Sequence, residues 1–449
     1  MLSLLLVSNC GARVDGHSDA GKATAGASGE PAADGAAGGA DAGSSAGAGG
    51  TDDSSAAGES NIADGGEASV FESCAPGCPD NAFCVEKHCH LKAVAIGAGY
   101  NSACAVLIDH SVRCWGAGHK PRDWAQDPIG AAPTEPQVSA IAVGLANSCN
   151  LLLDGAVECR GTIFYGTDPW AGPLGPVAIK GFGPTGERAQ QVALGTRHAC
   201  VLLADGTVRC WGNGLLLGDA SMQDSTEPVV VQGLGIGSRV IQLAAGISHT
   251  CALLEDGSVR CWGETALGVA GLEYDYSATP VTVQGLPKAD PVTAISSGRD
   301  HVCALLTRGS VYCWGVGSSG QLGTGVAQEL ALKAVRVLGF PILGNEVVGV
   351  FAGLARTCVA LADGSARCWG KNEYGMLGDG SQDDSAQPVQ VQGLPEGALG
   401  VRSLALGTSA TCALMSDGSP RCWGSNGYNE LGAPTPEKFS PVPIALSGW

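Results

Sequence analysis

Short apolar runs alternate with turns rich in Gly, Asp and Ser from about residue 92 to the C-terminus. In one representative unit, the apolar run Val240–Gly246 is followed by Cys251–Leu254 and Val259–Cys261, which an Asp-Gly pair separates. These runs have the length of β-strands rather than of helices. The pattern therefore predicts an all-β fold.

A second kind of run contains Pro-Val and ends in Gln-Gly-Leu, as in Pro228–Leu234, Pro280–Leu286 and Pro388–Leu394. We expect this strand to come first in each unit, ahead of the apolar strand that ends in glycine and the two strands that carry cysteines. Four strands in about 50 residues, repeated seven times, are typical of propeller blades. We predict a seven-bladed β-propeller over residues 92–449.

Two cysteines ten positions apart recur in every unit. Around Cys200 and Cys210, a three-residue turn places Gly206 in the left-handed conformation. Counting outward makes the two cysteines a non-hydrogen-bonded pair with Cα atoms about 4.5 Å apart, which suits a disulfide. In the first unit His110 takes the left-handed position. We predict one disulfide in each blade, with buried free thiols as the alternative: Cys104–Cys114, Cys149–Cys159, Cys200–Cys210, Cys251–Cys261, Cys303–Cys313, Cys358–Cys368 and Cys412–Cys422.

The two ends of the array are incomplete in complementary ways. Ala93–Gly97 has no Pro-Val strand before it, and Pro441–Leu446 has no unit after it. We expect Pro441–Leu446 to pair with the blade of Cys104 and Cys114, so that the C-terminal strand closes the ring and leaves no free edge.

The repeated motif is Gly-x-x-His-x-Cys-x-Leu-Leu-x-Asp-Gly-x-Val-x-Cys-Trp-Gly, with Gly320–Gly323 and Gly375–Gly378 as examples of a later Gly-x-Leu-Gly element. It resembles the regulator of chromosome condensation repeat. The resemblance covers residues 92–449 and implies seven repeats that close a seven-bladed propeller. The cysteine pairs depart from nuclear members of that family, and they indicate a branch outside the cytoplasm.

The N-terminal region suggests export. Residues 1–10 form an apolar run that ends in Cys10 and is too short to span a bilayer. It resembles a bacterial lipoprotein signal, although Asn9 stands where Gly or Ala is usual and no basic residue precedes the run. Lipidation of Cys10, a plain cleaved signal and an apolar start without meaning remain open.

Two small segments precede the predicted propeller. Residues 11–70 have ten acidic residues against Arg13 and Lys22 and contain no aromatic residue, which predicts a disordered tether or a neutral spacer. Residues 71–91 contain Cys74, Cys78, Cys84 and Cys89, which predict a knot of two disulfides in any of three connectivities. A zinc site with His88 and His90 is the alternative.

Charge and cysteine content narrow the class of protein. The formal net charge of −18 argues against nucleic-acid binding and against anionic lipid surfaces. Nineteen cysteines indicate an oxidising compartment. We therefore expect a secreted or lipid-anchored monomer at a bacterial envelope, with no membrane contact other than the lipid.

Candidate binding residues lie in segments that break the repeat. Loops on a rigid scaffold often carry binding, and aromatic side chains there favour protein or carbohydrate contacts, with neutral loop drift as the alternative. The aromatic candidates are Trp124, Phe164, Tyr165, Trp170, Tyr274 and Tyr276.

The repeated polar and aromatic positions have simpler interpretations. His198, His249 and His301 lie two residues before a cysteine and form either a ligand ring or structural contacts that hold the blade turns. The tryptophans of the Trp-Gly pairs are expected as wedges between blades rather than sugar platforms.

The sequence contains no recognisable catalytic motif. We expect a non-enzymatic recognition module without metal or cofactor, whose partner is a protein or a glycan. Guanine-nucleotide exchange on a small GTPase, which the family resemblance implies, is the main alternative. A hydrolase or lyase in the central pocket is a third.

Overall fold

A computed structural model describes residues 82–85, 88–116, 138–144, 147–161, 177–234, 237, 239–264, 276–395, 397–433, 435 and 437–446. The predicted signal segment, the predicted tether, Cys74 and Cys78 lie outside the described residues. Ala82–Val85 and His88–Leu91 pair as an antiparallel hairpin in which Cys84 is directly opposite Cys89. Leu91 packs against the hydrophobic cluster between the first and seventh blades.

Seven antiparallel sheets follow one another along the chain, one for each predicted unit, which confirms the seven-bladed all-β propeller. The innermost strands are Ala93–Ala98, Val138–Val143, Ala189–Leu194, Val240–Ala245, Val292–Ser297, Val347–Ala352 and Val401–Leu406. The second strands are Ser102–Leu107, Asn147–Leu152, His198–Leu203, His249–Leu254, His301–Leu306, Arg356–Leu361 and Ala410–Met415.

The outer half of each blade completes the sheet. The third strands are Val112–Gly116, Val157–Gly161, Val208–Gly212, Val259–Glu264, Val311–Gly317, Ala366–Gly370 and Pro420–Ser425. The outermost strands of the second to seventh blades are Val177–Ala178, Ser225–Val230, Tyr276–Thr282, Gln328–Arg336, Ser385–Gln390 and Phe439–Ala445. Short 3₁₀ turns occur at Gly214–Leu216 and Gly397–Leu399. Within the described ranges, no helix is long and apolar enough to cross a membrane.

The prediction that the C-terminal strand pairs with the first blade is wrong. Phe439–Ala445 pairs with the third strand of the seventh blade, where Ile444 is opposite Cys422. The Pro-Val strand is therefore the outermost strand of its own blade, not the first strand of the next. The short link to the following apolar strand makes the two look like one unit in sequence, but the ladder hydrogen bonds join the Pro-Val strand to the cysteine strand before it.

The ring closes by packing and by isolated hydrogen bonds instead. Innermost strands of successive blades contact one another around the whole ring, and the last contacts the first. Across this closure, Ala93 N donates to Gly418 O at 2.9 Å, and Thr408 N donates to Gly99 O at 3.0 Å. No disulfide and no shared sheet is involved in these contacts.

The predicted cysteine hairpin is confirmed in every blade. Cys200 is opposite Cys210, and Gly206 has φ 85° in the turn between them. His110 has φ 66° at the equivalent place in the first blade. The seven disulfides have Cα–Cα distances of 3.7–4.1 Å, somewhat shorter than expected.

The tryptophans of the Trp-Gly pairs are buried between blades, as predicted. Four of them donate an indole hydrogen bond to a backbone carbonyl of the preceding blade around the ring. The pairs are Trp262 to Leu216 O, Trp369 to Gln321 O, Trp423 to Met376 O and Trp115 to Glu430 O, with N···O distances of 2.8–3.1 Å. Each acceptor immediately precedes the Leu of the Gly-x-Leu-Gly element or its counterpart, so that element seals the junction with the next blade.

The outermost strands share a local irregularity. A serine hydroxyl donates to the carbonyl two residues on, and a proline or prolines follow: Ser225 with Pro228, Ser277 with Pro280, Ser385 with Pro388, and Ser440 with Pro441 and Pro443. The fifth blade differs, because Ala334 replaces the proline and its N–H donates to Gln284 O of the fourth blade's link at 2.9 Å.

Candidate functional site

The antiparallel order of the strands gives the propeller two different rims. The connections from first to second strand and from third to fourth strand lie at one end of the blades, which we term the loop face. The cysteine-hairpin turns and the links to the next blade lie at the other end, which we term the hairpin face.

Exposed tyrosines are concentrated on the loop face. Within the described residues, every tyrosine with at least 40% of its surface exposed lies there: Tyr100 at 50%, Tyr276 at 45%, Tyr374 at 40% and Tyr428 at 62%. In the described turns and links of the hairpin face, the Phe, Tyr and Trp side chains are the buried Phe182 and Phe340, and Tyr312, which follows a hairpin turn, packs partly buried against the core. Tyrosine supplies a large contact area at low entropic cost, so the loop face is the candidate binding surface.

The sequence identified this surface incompletely. Trp124, Phe164, Tyr165, Trp170 and Tyr274 lie outside the described residues. Tyr276 is exposed, and it begins the outermost strand opposite Glu264 rather than lying in a loop.

Three exposed tyrosines were missed because they belong to regular repeats. Tyr374 and Tyr428 occupy equivalent places, each one residue before a residue with positive φ, Gly375 or Asn429. Their shared place in the repeat was the available signal, since both loops follow the regular pattern of the other blades. Tyr100 lies in the connection between the first and second strands of the first blade, next to the seventh blade.

The loops that carry Tyr374 and Tyr428 are held by internal hydrogen bonds. In the sixth blade, Asn372 Nδ2 donates to Ser381 O at 3.1 Å, and Leu377 N donates to Asn372 Oδ1 at 2.8 Å. In the seventh, Tyr428 N donates to the buried carboxylate of Glu430 at 2.7 Å. Tyrosines on loops fixed in this way lose little entropy when they bind.

The predicted histidines lie at the axial side of the loop face and pack against glycine. A Cβ atom built on Gly195 would lie 2.2 Å from His198 Cε1. A Cβ atom at Gly246 or Gly298 would clash in the same way with the imidazole of His249 or His301. The apolar strand therefore ends in glycine because the imidazole of the following strand occupies the space of a side chain.

Each of these histidines bonds to a hydroxyl of the next blade rather than to its own turn. His198 Nε2 is 2.7 Å from Thr250 Oγ1, and His301 Nε2 is 2.9 Å from Thr357 Oγ1. Val302 occupies the place of Thr250 and Thr357 in the fifth blade, and His249 Nε2 is instead 2.9 Å from Ser297 Oγ. The three imidazoles therefore join blades three to six.

Burial lowers the pKa of all three imidazoles. The pKa of His198 falls from 6.5 to about 4, and those of His249 and His301 fall to about 3. His249 is also affected by His198 and His301, since a second charge so close would be repelled. All three are neutral at pH 7.

Other residue types at the equivalent position make the same kind of contact. Asn147 Nδ2 donates to Gly195 O and Thr196 O, at 3.3 and 3.2 Å. Arg356 donates to Thr411 Oγ1, Thr408 O, Gly407 O and Ala410 O of the seventh blade. This position thus connects successive blades, and the ligand ring that the histidines suggested is not supported. Within the described ranges, no group of His, Cys, Asp and Glu could hold a metal ion.

Two glutamines strengthen the same junctions from inside the ring. The amide of Gln191 donates to Leu243 O and accepts from Leu243 N, at 2.9 and 2.8 Å. Gln242 does the same with Ile295, at 3.0 and 2.8 Å. Sequence analysis did not identify this role, because the strands that are joined belong to different blades.

Comparisons with known proteins agree with this architecture. The sequence pattern of the RCC1-like domain family matches residues 174–448. The chain is 30% identical over 280 residues to the ultraviolet-B receptor UVR8 of Arabidopsis thaliana, covering 61% of each protein. It is 31% identical over 252 residues to the mouse E3 ubiquitin-protein ligase HERC2, covering 54% of this chain and 5% of the ligase. The chain thus spans less than two thirds of these relatives.

Solved structures show the same fold. Yeast RCC1 (Prp20), in its complex with Kap60, superposes with a TM-score of 0.63 at 20% identity, covering 80% of this chain and 85% of that one. Human WBSCR16 has a TM-score of 0.58 at 21% identity, with 70% and 83% coverage. With seven blades of the same repeat and a family pattern that matches most of them, this chain belongs to the RCC1-like domain family.

Proposed function

We propose that this protein is a non-enzymatic recognition module outside the cytoplasm, secreted or anchored through a lipid on Cys10, and that its loop face binds a protein partner. The observation that carries the proposal is that, among the described residues, the exposed tyrosines lie on that face and not on the other. The buried polar side chains at the repeated positions hold the blades together, and this structural use supports the non-enzymatic part of the proposal.

The compartment is inferred from the disulfides. Seven bridges in the blades are the expected state of cysteines in an oxidising environment. Intact mass of the natively expressed protein, before and after reduction and alkylation, tests this. Nine disulfides and one acylated cysteine would account for all nineteen cysteines. Alkylation of most cysteines without reduction would contradict the proposed compartment.

The binding face is tested by site-specific photo-crosslinking. A photoreactive phenylalanine analogue at Tyr428 probes the loop face, and the same analogue at Leu343, which is fully exposed on the hairpin face, is the matched control. We expect protein adducts from position 428 in an envelope preparation, lost when Tyr374 and Tyr100 are also replaced by Ala. Equal adducts from both positions would contradict the proposal.

The two other ligand classes give distinct outcomes. Binding to purified neutral glycans with the same dependence on Tyr374 and Tyr428 would indicate a glycan ligand. Guanine-nucleotide exchange, which membership of this family suggests, would appear as faster release of a fluorescent nucleotide from a small GTPase. The proposed compartment and the acidic balance of residues 93–449 argue against exchange, since 30 Asp and Glu stand against 21 Lys and Arg.

A further inference from the structure

We propose that the ring contains an acid-sensitive opening device, in which protonation of His198, His249 and His301 separates the third to sixth blades while each blade stays folded. This inference does not depend on the identity of the partner. It extends the proposed function by giving the scaffold a second, open state.

The disulfides lie within blades, whereas the imidazole–hydroxyl bonds lie between blades. All seven blade disulfides join the second and third strands of one blade, and none of them joins two blades. The junctions between the third and fourth, fourth and fifth, and fifth and sixth blades each contain one imidazole–hydroxyl bond, beside packing and other hydrogen bonds that do not titrate. Loss of those bonds therefore weakens the ring before it weakens a blade.

Hydrogen-bond donors can be assigned at the junction between the fifth and sixth blades. The hydroxyl of Thr357 donates its one hydrogen to Gln321 O at 2.9 Å. His301 Nε2, 2.9 Å from the same oxygen, must then be the donor, which leaves Nδ1 as an unprotonated acceptor. The neutral imidazole of His301 is therefore the form that this junction accommodates.

The protonated imidazole does not fit these junctions. Nδ1 of His301 and Nδ1 of His198 have no hydrogen-bond partner within the described residues. Protonation would place an N–H there, in a buried pocket whose wall is the backbone of Gly298 or Gly195. A buried charge and an unmade hydrogen bond both oppose closure.

Among the described residues, no carboxylate affects the pKa of these three imidazoles. The titratable groups that act on His249 are His198 and His301, and both disfavour its protonation. Burial is what acts on those two. The nearby Cys200 and Cys303, which contact Thr250 and Thr357, are in disulfides and do not titrate. Arg356, which precedes Thr357, is itself a cation.

The direction of the pH effect follows from these values. Exposed histidine titrates near 6.5, whereas the closed junctions lower the pKa to about 4 or 3. The neutral imidazoles stabilise the closed junctions fully above pH 6.5, and this stabilisation is lost as the pH falls below 6.5. At pH 4.5 the opening equilibrium of each junction shifts by on the order of 100-fold.

The test compares the oxidised full-length chain with the variant H198Q/H249Q/H301Q, since glutamine can donate to the hydroxyl but does not titrate. Small-angle scattering measures the radius of gyration from pH 7.4 to 4.5. Tryptophan fluorescence, to which Trp262, Trp314 and Trp369 contribute from buried places at these junctions, is recorded in parallel. We expect reversible expansion and a red shift in the natural protein, with strand content in circular dichroism retained, and neither change in the variant.

Controls distinguish this device from general acid unfolding. H110Q replaces a partly buried histidine that joins the first and second blades on the hairpin face, outside the proposed device, and should leave the acid transition in place. If the triple variant does not fold at neutral pH, each single variant should remove part of the transition. Identical transitions in the natural protein and the variants, or a natural protein that stays compact at pH 4.5, would overturn the proposal.

Discussion

The guanidinium of Arg356 in the sixth blade donates a hydrogen bond of 2.6 Å to the carbonyl oxygen of Ala410 in the seventh. It also donates to Gly407 O, Thr408 O and Thr411 Oγ1 of the seventh blade and to Met376 Sδ of its own blade, so these bonds of a fully buried cation involve no carboxylate. Burial lowers the pKa of Arg356 to about 9, so it remains charged at pH 7. This junction therefore differs from its three histidine neighbours, because acid does not change its charge.

Replacement of Arg356 tests how much that junction contributes to stability. We expect R356A to lower the free energy of unfolding by about 3–5 kcal/mol, because several buried acceptors lose their donor. R356H should cost less, since Thr411 offers the hydroxyl that histidine uses at Thr357. Urea unfolding at pH 7.4 measures both. R402A changes an exposed arginine and should stay within about 0.5 kcal/mol; an equal loss in R356A and R402A would refute the prediction.

Removal of one blade disulfide should be costly but local. The double variant C303A/C313A should lose roughly 2–3 kcal/mol, because the bridge closes a short loop in the unfolded chain. Thermal unfolding of the oxidised proteins gives the difference. Both cysteines are fully buried, so a reductant without denaturant should leave the natural protein unchanged. Rapid reduction of the folded protein would show that the blades open more easily than the burial of these sulfurs indicates.

Two buried tryptophans form a matched pair for measuring one hydrogen bond. Trp369 packs against Phe340 at 6.0 Å between ring centroids, and Trp211 packs against Phe182 at 6.2 Å. Trp369 donates to Gln321 O, whereas the indole N–H of Trp211 has no partner within the part of the chain that the structure describes. We expect W369F to be less stable than W211F by about 1 kcal/mol in urea unfolding. Equal losses would mean that packing alone holds these rings.

Local geometry was predictable from the sequence because each prediction involved residues close together in the chain. The ten-residue spacing between Cys200 and Cys210 indicated a three-residue hairpin turn, and that turn determined which residues of the two strands are opposite each other. The same logic found the left-handed His110. Seven repetitions then made the propeller the consistent interpretation.

Relationships between blades were not accessible in the same way. Thr250 and Thr357 each come directly after the repeated polar position of the next unit. They lie about 50 residues from the histidines they bind, and nothing in one repeat identifies them as partners. Ser297 was still harder to anticipate, since it substitutes from a different strand for a threonine that is missing. The pairing of Phe439–Ala445 was wrong because a tandem repeat looks the same whichever strand is counted first.

The prolines of the outermost strands have a consequence for many copies of this protein at high local density. A propeller exposes one sheet edge per blade, and each unprotected edge could recruit a strand from a neighbouring molecule and start an ordered aggregate. Pro228, Pro280, Pro388 and Pro443 remove a hydrogen-bond donor from four of these edges, while Ala334 already uses its N–H within the molecule. Copies crowded on a surface should therefore remain separate particles, with their rims in contact but not joined.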